Sequence, residues 1–131
     1  MASLFTKIIN QEIPSYKIYE DDYVYSFLDI RPIQPGHTLL VPKEEVDYFV
    51  DLNSKTYLHL MAKSQDISRA IRKATQCKRV GLIVAGYEVP HFHLHMIPTF
   101  SLADFDFSKG HSIEDDQMKQ IQKQILLYLN S

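Results

Sequence analysis

Apolar residues recur along this chain in two rhythms, and the changes between them mark out its elements. Leu4, Phe5, Ile8 and Ile9 keep a helical spacing within residues 4–12, which ends before Pro14 because the residue preceding a proline disfavours helix. Residues 16–20 and 23–30 are rich in Tyr, Val, Ile and Phe, with Glu20, Asp21 and Asp22 as turn residues between them. That pattern predicts two antiparallel strands. Two prolines and a glycine at 31–36 break it, and His37 to Val41 predicts a third strand ended by Pro42. From Leu52 to Gln76, residues such as Tyr57, Leu60, Met61, Ile67, Ala70, Ile71 and Ala74 recur at threes and fours. They predict one long helix with a buried face, its N-cap at Asn53 or Ser54. Residues 79–84 predict a fourth strand. Residues 99–111 keep neither rhythm and are expected to form an ordered loop or arm. Met118, Ile121, Ile125 and Leu129 mark a last helix, with Ser112 and Asp115 as a capping signal.

The run from Pro90 to Pro98 predicts the fifth strand and changes the picture most. Side chains in a strand alternate between its faces, so His91, His93 and His95 share one face while Phe92, Leu94 and Met96 turn to the other. Half of the six histidines lie in five residues. A packing role explains such a row poorly, and two chemical reasons fit it. Imidazoles two apart on a strand can bind zinc or another transition metal with a further ligand from elsewhere. They can also act on a phosphate, one as nucleophile and the others as hydrogen-bond donors or proton carriers. The row alone leaves both open.

Composition narrows the classes. The 131 residues, 45% of them hydrophobic, suffice for one domain with its own core. A formal net charge of −2 with no basic cluster argues against nucleic acid as the main partner. No apolar run approaches the roughly 18 residues of a membrane span, the N-terminal apolar stretch is short for a signal peptide, and Cys77 is the single cysteine. A cytoplasmic protein without disulfides is expected. The acidic residues Asp104, Asp106, Glu114, Asp115 and Asp116 suit a helix start better than a metal site.

The row His91-Phe92-His93-Leu94-His95-Met96-Ile97 resembles the motif His-φ-His-φ-His-φ-φ of the histidine triad (HIT) superfamily. The resemblance extends in order through Leu4 to Ile9, Glu12-Ile13-Pro14, Tyr19 to Asp22, Phe27 to Ile30 and Pro35 to Lys43, and so covers roughly residues 4–98. It implies an α+β fold: a five-stranded antiparallel sheet, one long helix, a short N-terminal helix and a C-terminal helix. It also implies one HIT domain over residues 1–131, with the motif-bearing core at 4–98 and an arm and helix at 99–131. The activity implied is cleavage at the α-phosphate of a nucleoside monophosphate derivative, of phosphoramidate or dinucleoside polyphosphate type, through a nucleotidyl-histidine. No metal or other cofactor is expected. By the same resemblance His93 is the nucleophile, His91 holds it in the reactive tautomer, and His95 and His37 serve the phosphate and leaving group. Phe5, Ile8, Ile13, Leu28 and Ile30 would line the pocket for a purine base, and Asp29 would bind the ribose hydroxyls. Gly86 and the backbone of Glu88 and Val89 would face the α-phosphate of AMP or a derivative. A homodimer is expected, with neither nucleic acid nor membrane as partner.

The chain departs from the family pattern at three places. Ser3, Thr6 and Glu45 stand where many members carry two cysteines and a histidine that help to bind a structural zinc. The loop before the triad is short, as in a prokaryote-like branch, with Val84-Ala85-Gly86 in place of Asn-x-Gly. Glu88 replaces a serine or threonine near the leaving group, and a carboxylate there is expected to point outward. The leaving group stays open among an amine, a second nucleotide, a sulfate and a sugar phosphate. A binding module with little turnover also stays open.

Overall fold

The computed structural model describes residues 2–131, so Met1, the first residue of the expected single domain, lies outside it. Helix α1 (Leu4–Ile9) opens the chain, with Ser3 Oγ accepting the Thr6 N–H as its N-cap. It is shorter than the apolar spacing suggests. Gln11 takes a left-handed φ of 63° and the chain folds back, Glu12 N–H reaching Lys7 O at 2.9 Å. Strands β1 (Lys17–Glu20) and β2 (Val24–Leu28) follow as the predicted hairpin. Asp21 closes its turn by accepting the N–H groups of Tyr23 and Val24.

After β3 (Thr38–Pro42) comes the long helix α2 (Ser54–Thr75), capped by Asn53 and ended by Gln76 in the left-handed conformation. β4 (Arg79–Ile83), β5 (Leu94–Thr99) and α3 (Asp115–Leu129) complete the described elements. The sheet is antiparallel with order β1-β2-β3-β5-β4, an α+β fold as expected. One face carries Val24, Leu28, Leu40, Leu94 and Met96, packed under Leu60, Ile67 and Ile71 of α2 and Met118 and Ile125 of α3. The other face carries Tyr25, Phe27, Leu39 and Val41 beneath Phe5 and Ile8 of α1. Both faces of the central strands are therefore buried, which the sequence does not announce.

Two expectations need correction. The strand bearing the triad begins at Leu94, not Pro90, and runs through Pro98, so only His95 of the three histidines lies in regular strand. The ladder with β3 stops at the Leu40–Leu94 pair. Beyond it the Pro42 carbonyl is taken by the His91 ring at 2.7 Å, and the Phe92 N–H goes to Val46 O at 2.6 Å. The last helix is not capped by Ser112. Its N-cap position is Glu114, without a side-chain bond, and α3 is tied instead by Asp115, which accepts from the Tyr16 hydroxyl.

Residues 99–111 form an ordered arm of two 3₁₀ turns, Leu102–Asp104 and Phe107–Lys109. It lies on the same sheet face as α1, because Gly81 of β4 pairs with Ile97 and its Cα meets the ring of Phe105. A Cβ at Gly81 would stand 2.2 Å from that ring. The histidines occupy the gap between α1 and the arm.

Candidate active site

His91 is fully buried and both of its ring nitrogens are occupied. Nε2 lies 2.7 Å from Pro42 O, which can only accept, so Nε2 carries the proton. Nδ1 then accepts from Ser3 Oγ at 2.7 Å. Ser3 belongs to a network in which Glu45 Oε1 accepts the Ser3 N–H at 2.6 Å and the Thr6 hydroxyl at 2.7 Å. Burial lowers the His91 pKa, with the Pro42 carbonyl and the Glu45 charge opposing it. Where the resemblance made Ser3, Thr6 and Glu45 departures from a zinc site, hydroxyls and a carboxylate bond one another and the histidine directly.

The backbone carbonyl of His91 accepts from His93 Nδ1 at 2.8 Å. That bond assigns the proton of His93 to Nδ1 and leaves the lone pair on Nε2, and His93 lines the cavity described below. The Phe5 ring packs edge-on against His93 and His91, with centroids 5.0 and 5.8 Å away.

His37, just before β3, is fully buried, although a lone histidine at a strand start is more often exposed. Its Nδ1 accepts the Ile33 N–H at 3.1 Å, so Nε2 bears the proton and donates to His95 Nδ1 at 3.0 Å. His95 therefore carries its own proton on Nε2. Asp29 Oδ2 stands 3.6 Å from His37 Nε2, while Oδ1 accepts the Arg31 N–H. Burial depresses His37 to about 4. Burial first, then the neighbouring rings of His37 and His93, depresses His95 to about 3, against the charge of Asp29. Both rings are neutral near pH 7.

A cavity of about 190 Å³ opens between α1 and the β2 and β3 strands. Of the nucleotide residues named from sequence, Phe5, Ile8, Ile13, Leu28, Asp29, Ile30, Glu88 and Val89 line it, together with His93 and His95. Gly86 does not. It takes a φ of +82° in an open loop, and nothing lies within 4 Å of where its Cβ would be, so its glycine serves the backbone turn. His91 and His37 stand behind the lining. Leu4, Pro14, Ser15, Phe27 and Leu39 also line the cavity and were not singled out in the sequence, where they read as helix, turn and strand residues. Asp29, His37 and His95 each offer one donor atom within 4.8 Å of the others. That set could take a cation once the proton shared by the two rings is displaced. The row of His91, His93 and His95 does not converge in this way, since three of its six ring nitrogens are bonded to protein oxygens.

The HIT domain family model matches residues 10–102. A protein described as an uncharacterized HIT-like protein of Borreliella burgdorferi is 37% identical over 131 residues, spanning 93% of this chain and 94% of that one. Adenosine 5′-monophosphoramidase HNT1 of Saccharomyces cerevisiae is 34% identical over 102 residues, 74% of this chain and 62% of that one. The crystal structure of a Hit-like protein involved in cell-cycle regulation from Bartonella henselae, with an unknown ligand, superposes with a TM-score of 0.85. It is 30% identical and covers 96% of this chain and 95% of that chain.

Proposed function

The chain belongs to the HIT domain family, and from that premise we propose that it is a nucleotide-binding hydrolase or nucleotidyl transferase acting at the α-phosphate of an AMP derivative. One observation carries the reading: the 2.8 Å bond from His93 Nδ1 to its neighbour's carbonyl, which leaves Nε2 as a fixed, unprotonated nucleophile at the cavity. The purine sits in the apolar cavity against Phe5 and Ile8, and the ribose hydroxyls bond Asp29. His93 Nε2 attacks the α-phosphorus, and the bond from phosphorus to the leaving group breaks. The leaving group departs with a proton that enters on the substrate, while His95 Nε2–H hydrogen-bonds it. Water then attacks phosphorus, gives up a proton to solvent and releases AMP with His93 neutral. His37 acts by holding His95 with Nε2–H toward the substrate.

The activity in the name of the yeast relative supports an amine as leaving group. The test is AMP release from adenosine 5′-phosphoramidate with a chelator present. Wild-type turnover that falls by on the order of 10³-fold or more in His93→Ala supports the reading. Equal release by both would remove His93 from its role.

The converging donors of Asp29, His37 and His95 favour a second reading, a metal site. Metal analysis of untagged protein decides it: stoichiometric metal that is lost in His37→Ala supports this reading, and metal-free protein with full activity ends it. We also propose a homodimer through β4, an edge strand that exposes Leu82. Sedimentation that gives a monomer would overturn that. Among the described residues no helix is long and apolar enough to cross a membrane.

A further inference from the structure

Phe107 lies outside the residues matched by the family model, and its ring rests on His95 with centroids 4.8 Å apart and planes at 58°. It is an exposed aromatic, 41% accessible, yet its backbone is held from several sides. Asp104 is buried and accepts the N–H groups of Phe100 and Ser101 and the Gln34 amide. Arg31 donates to Gly110 O, Lys109 Nζ to Ala103 O, and Phe105 is seated on Gly81. A rigid arm that spends its bonds on presenting an apolar ring to solvent beside a histidine has the form of a ligand contact.

Direction supplies the class of ligand. The aromatic row runs Phe5, His93, His95, Phe107, with successive centroids 5.0, 5.0 and 4.8 Å apart. Phe5 belongs to the nucleoside cavity, whereas Phe107 is absent from its lining and comes at the other end of the aromatic row, after His95. A phosphorus in reach of His93 Nε2 has its nucleoside toward Phe5. A group leaving past His95 emerges against Phe107.

We propose that Phe107 is a specificity-determining residue forming the leaving-group wall of the site, and that it selects leaving groups carrying a flat aromatic ring. The proposal rests on the hydrolase reading above for the term leaving group, but the contact itself is readable without turnover. The probes are adenosine 5′-phosphoramidates N-substituted with phenethyl or with cyclohexylethyl, which match in size and differ in ring planarity. The ratio of their kcat/KM values is measured for wild type, Phe107→Leu and Phe107→Tyr. Stacking of one ring supports a preference of about three- to tenfold. That preference is largely lost in Phe107→Leu and is retained in Phe107→Tyr. The same ratio in all three proteins overturns the proposal. So does a leucine variant that slows both substrates alike and shifts the pH profile, since Phe107 would then act only by shielding His95. The Kd ratio of the two compounds on a His93→Ala background repeats the comparison by calorimetry. A wild type that releases no AMP from any phosphoramidate therefore sinks the hydrolase reading, while the Kd ratio in that background, with and without Phe107→Leu, still decides the contact.

Discussion

Helix α1 meets the triad through the Phe5 ring and through hydrogen bonds, Ser3 Oγ to His91 Nδ1 and Glu45 to the Ser3 N–H, whereas the arm meets it through one ring contact alone, Phe107 on His95. The consequences differ. On the α1 side every polar ring atom of His91 has a partner, so the position of its carbonyl, and with it the tautomer of His93, is set by chemistry that tolerates little change. On the arm side His37 and His95 bond each other beside Asp29, and the contact that the arm itself adds, the Phe107 ring, is apolar. Apolar cover tolerates substitution of one ring or side chain for another. The first wall suits a function that must stay fixed, and the second a function that differs between related enzymes.

Acid tests this contrast most severely. His91 has a carbonyl and a carboxylate that oppose its burial, but His37 and His95 are depressed to about 4 and about 3, chiefly by burial. A histidine whose folded pKa lies below its unfolded value of about 6.5 takes up more protons unfolded, so stability falls as pH drops below 6.5. Each such group contributes a slope of up to about 1.4 kcal/mol per pH unit. Urea titrations are expected to change little between pH 7.5 and 6.5 and then to lose stability down to pH 4.5, with a slope approaching twice that value. A flat profile would mean that the arm-side pair is not held neutral.

The next largest effect breaks the α1 wall. Ser3→Ala removes both the donor to buried His91 Nδ1 and the N-cap of α1. Together these cost about 2–3 kcal/mol, a fall in Tm of roughly 10 °C. AMP release is expected to fall with it, because the His91 carbonyl that orients His93 is no longer pinned. Calorimetry beside the phosphoramidate assay checks both, and unchanged turnover would separate the clamp from the nucleophile.

The same contrast explains what was legible in the sequence. Alternation at His91 to Met96 and the helical spacing from Leu60 to Ala74 are local patterns, and they gave the sheet, the long helix and the sidedness of the row. The clamp joins Ser3 to His91, 88 positions away, through a hydroxyl that any surface serine could supply. Full burial of His37 follows from α1 and the arm covering the sheet's second face, which no single strand reveals. The arm has 3₁₀ turns without a period, so Phe107 read as one phenylalanine among several. The strand start at Leu94 depends on where the Pro42 carbonyl is spent, again a tertiary matter.

Gly81→Ala sharpens the comparison from the other side. The added Cβ meets Phe105 at 2.2 Å, and a ring that is itself 39% exposed can move outward. Overpacking here is expected to cost about 1 kcal/mol, the low end for such changes, since the arm can yield where a core could not. Its signature is selectivity: moving the arm moves Phe107, so the preference between aromatic and alicyclic leaving groups narrows while AMP affinity holds. Narrowed affinity for AMP with unchanged preference would place Gly81 on the wrong wall.

The smallest effect is expected at Glu45, whose carboxylate is exposed although two hydrogen bonds converge on it. The Ser3 N–H first, then the Thr6 hydroxyl, hold its pKa at about 2. A carboxylate depressed in the folded state contributes stability above its unfolded pKa, and that contribution fades as pH falls toward the folded one. Glu45→Gln keeps an acceptor oxygen but loses the charge, and solvent screens that charge at the surface. A Tm lower by a small margin at pH 7 is therefore expected, with the margin shrinking between pH 4.5 and 2. Glu45→Ala, which leaves the Thr6 hydroxyl and the Ser3 N–H to water, should exceed it at every pH. If glutamine and alanine behaved alike, the clamp would depend on charge rather than on the two bonds, and α1 would be held no more specifically than the arm.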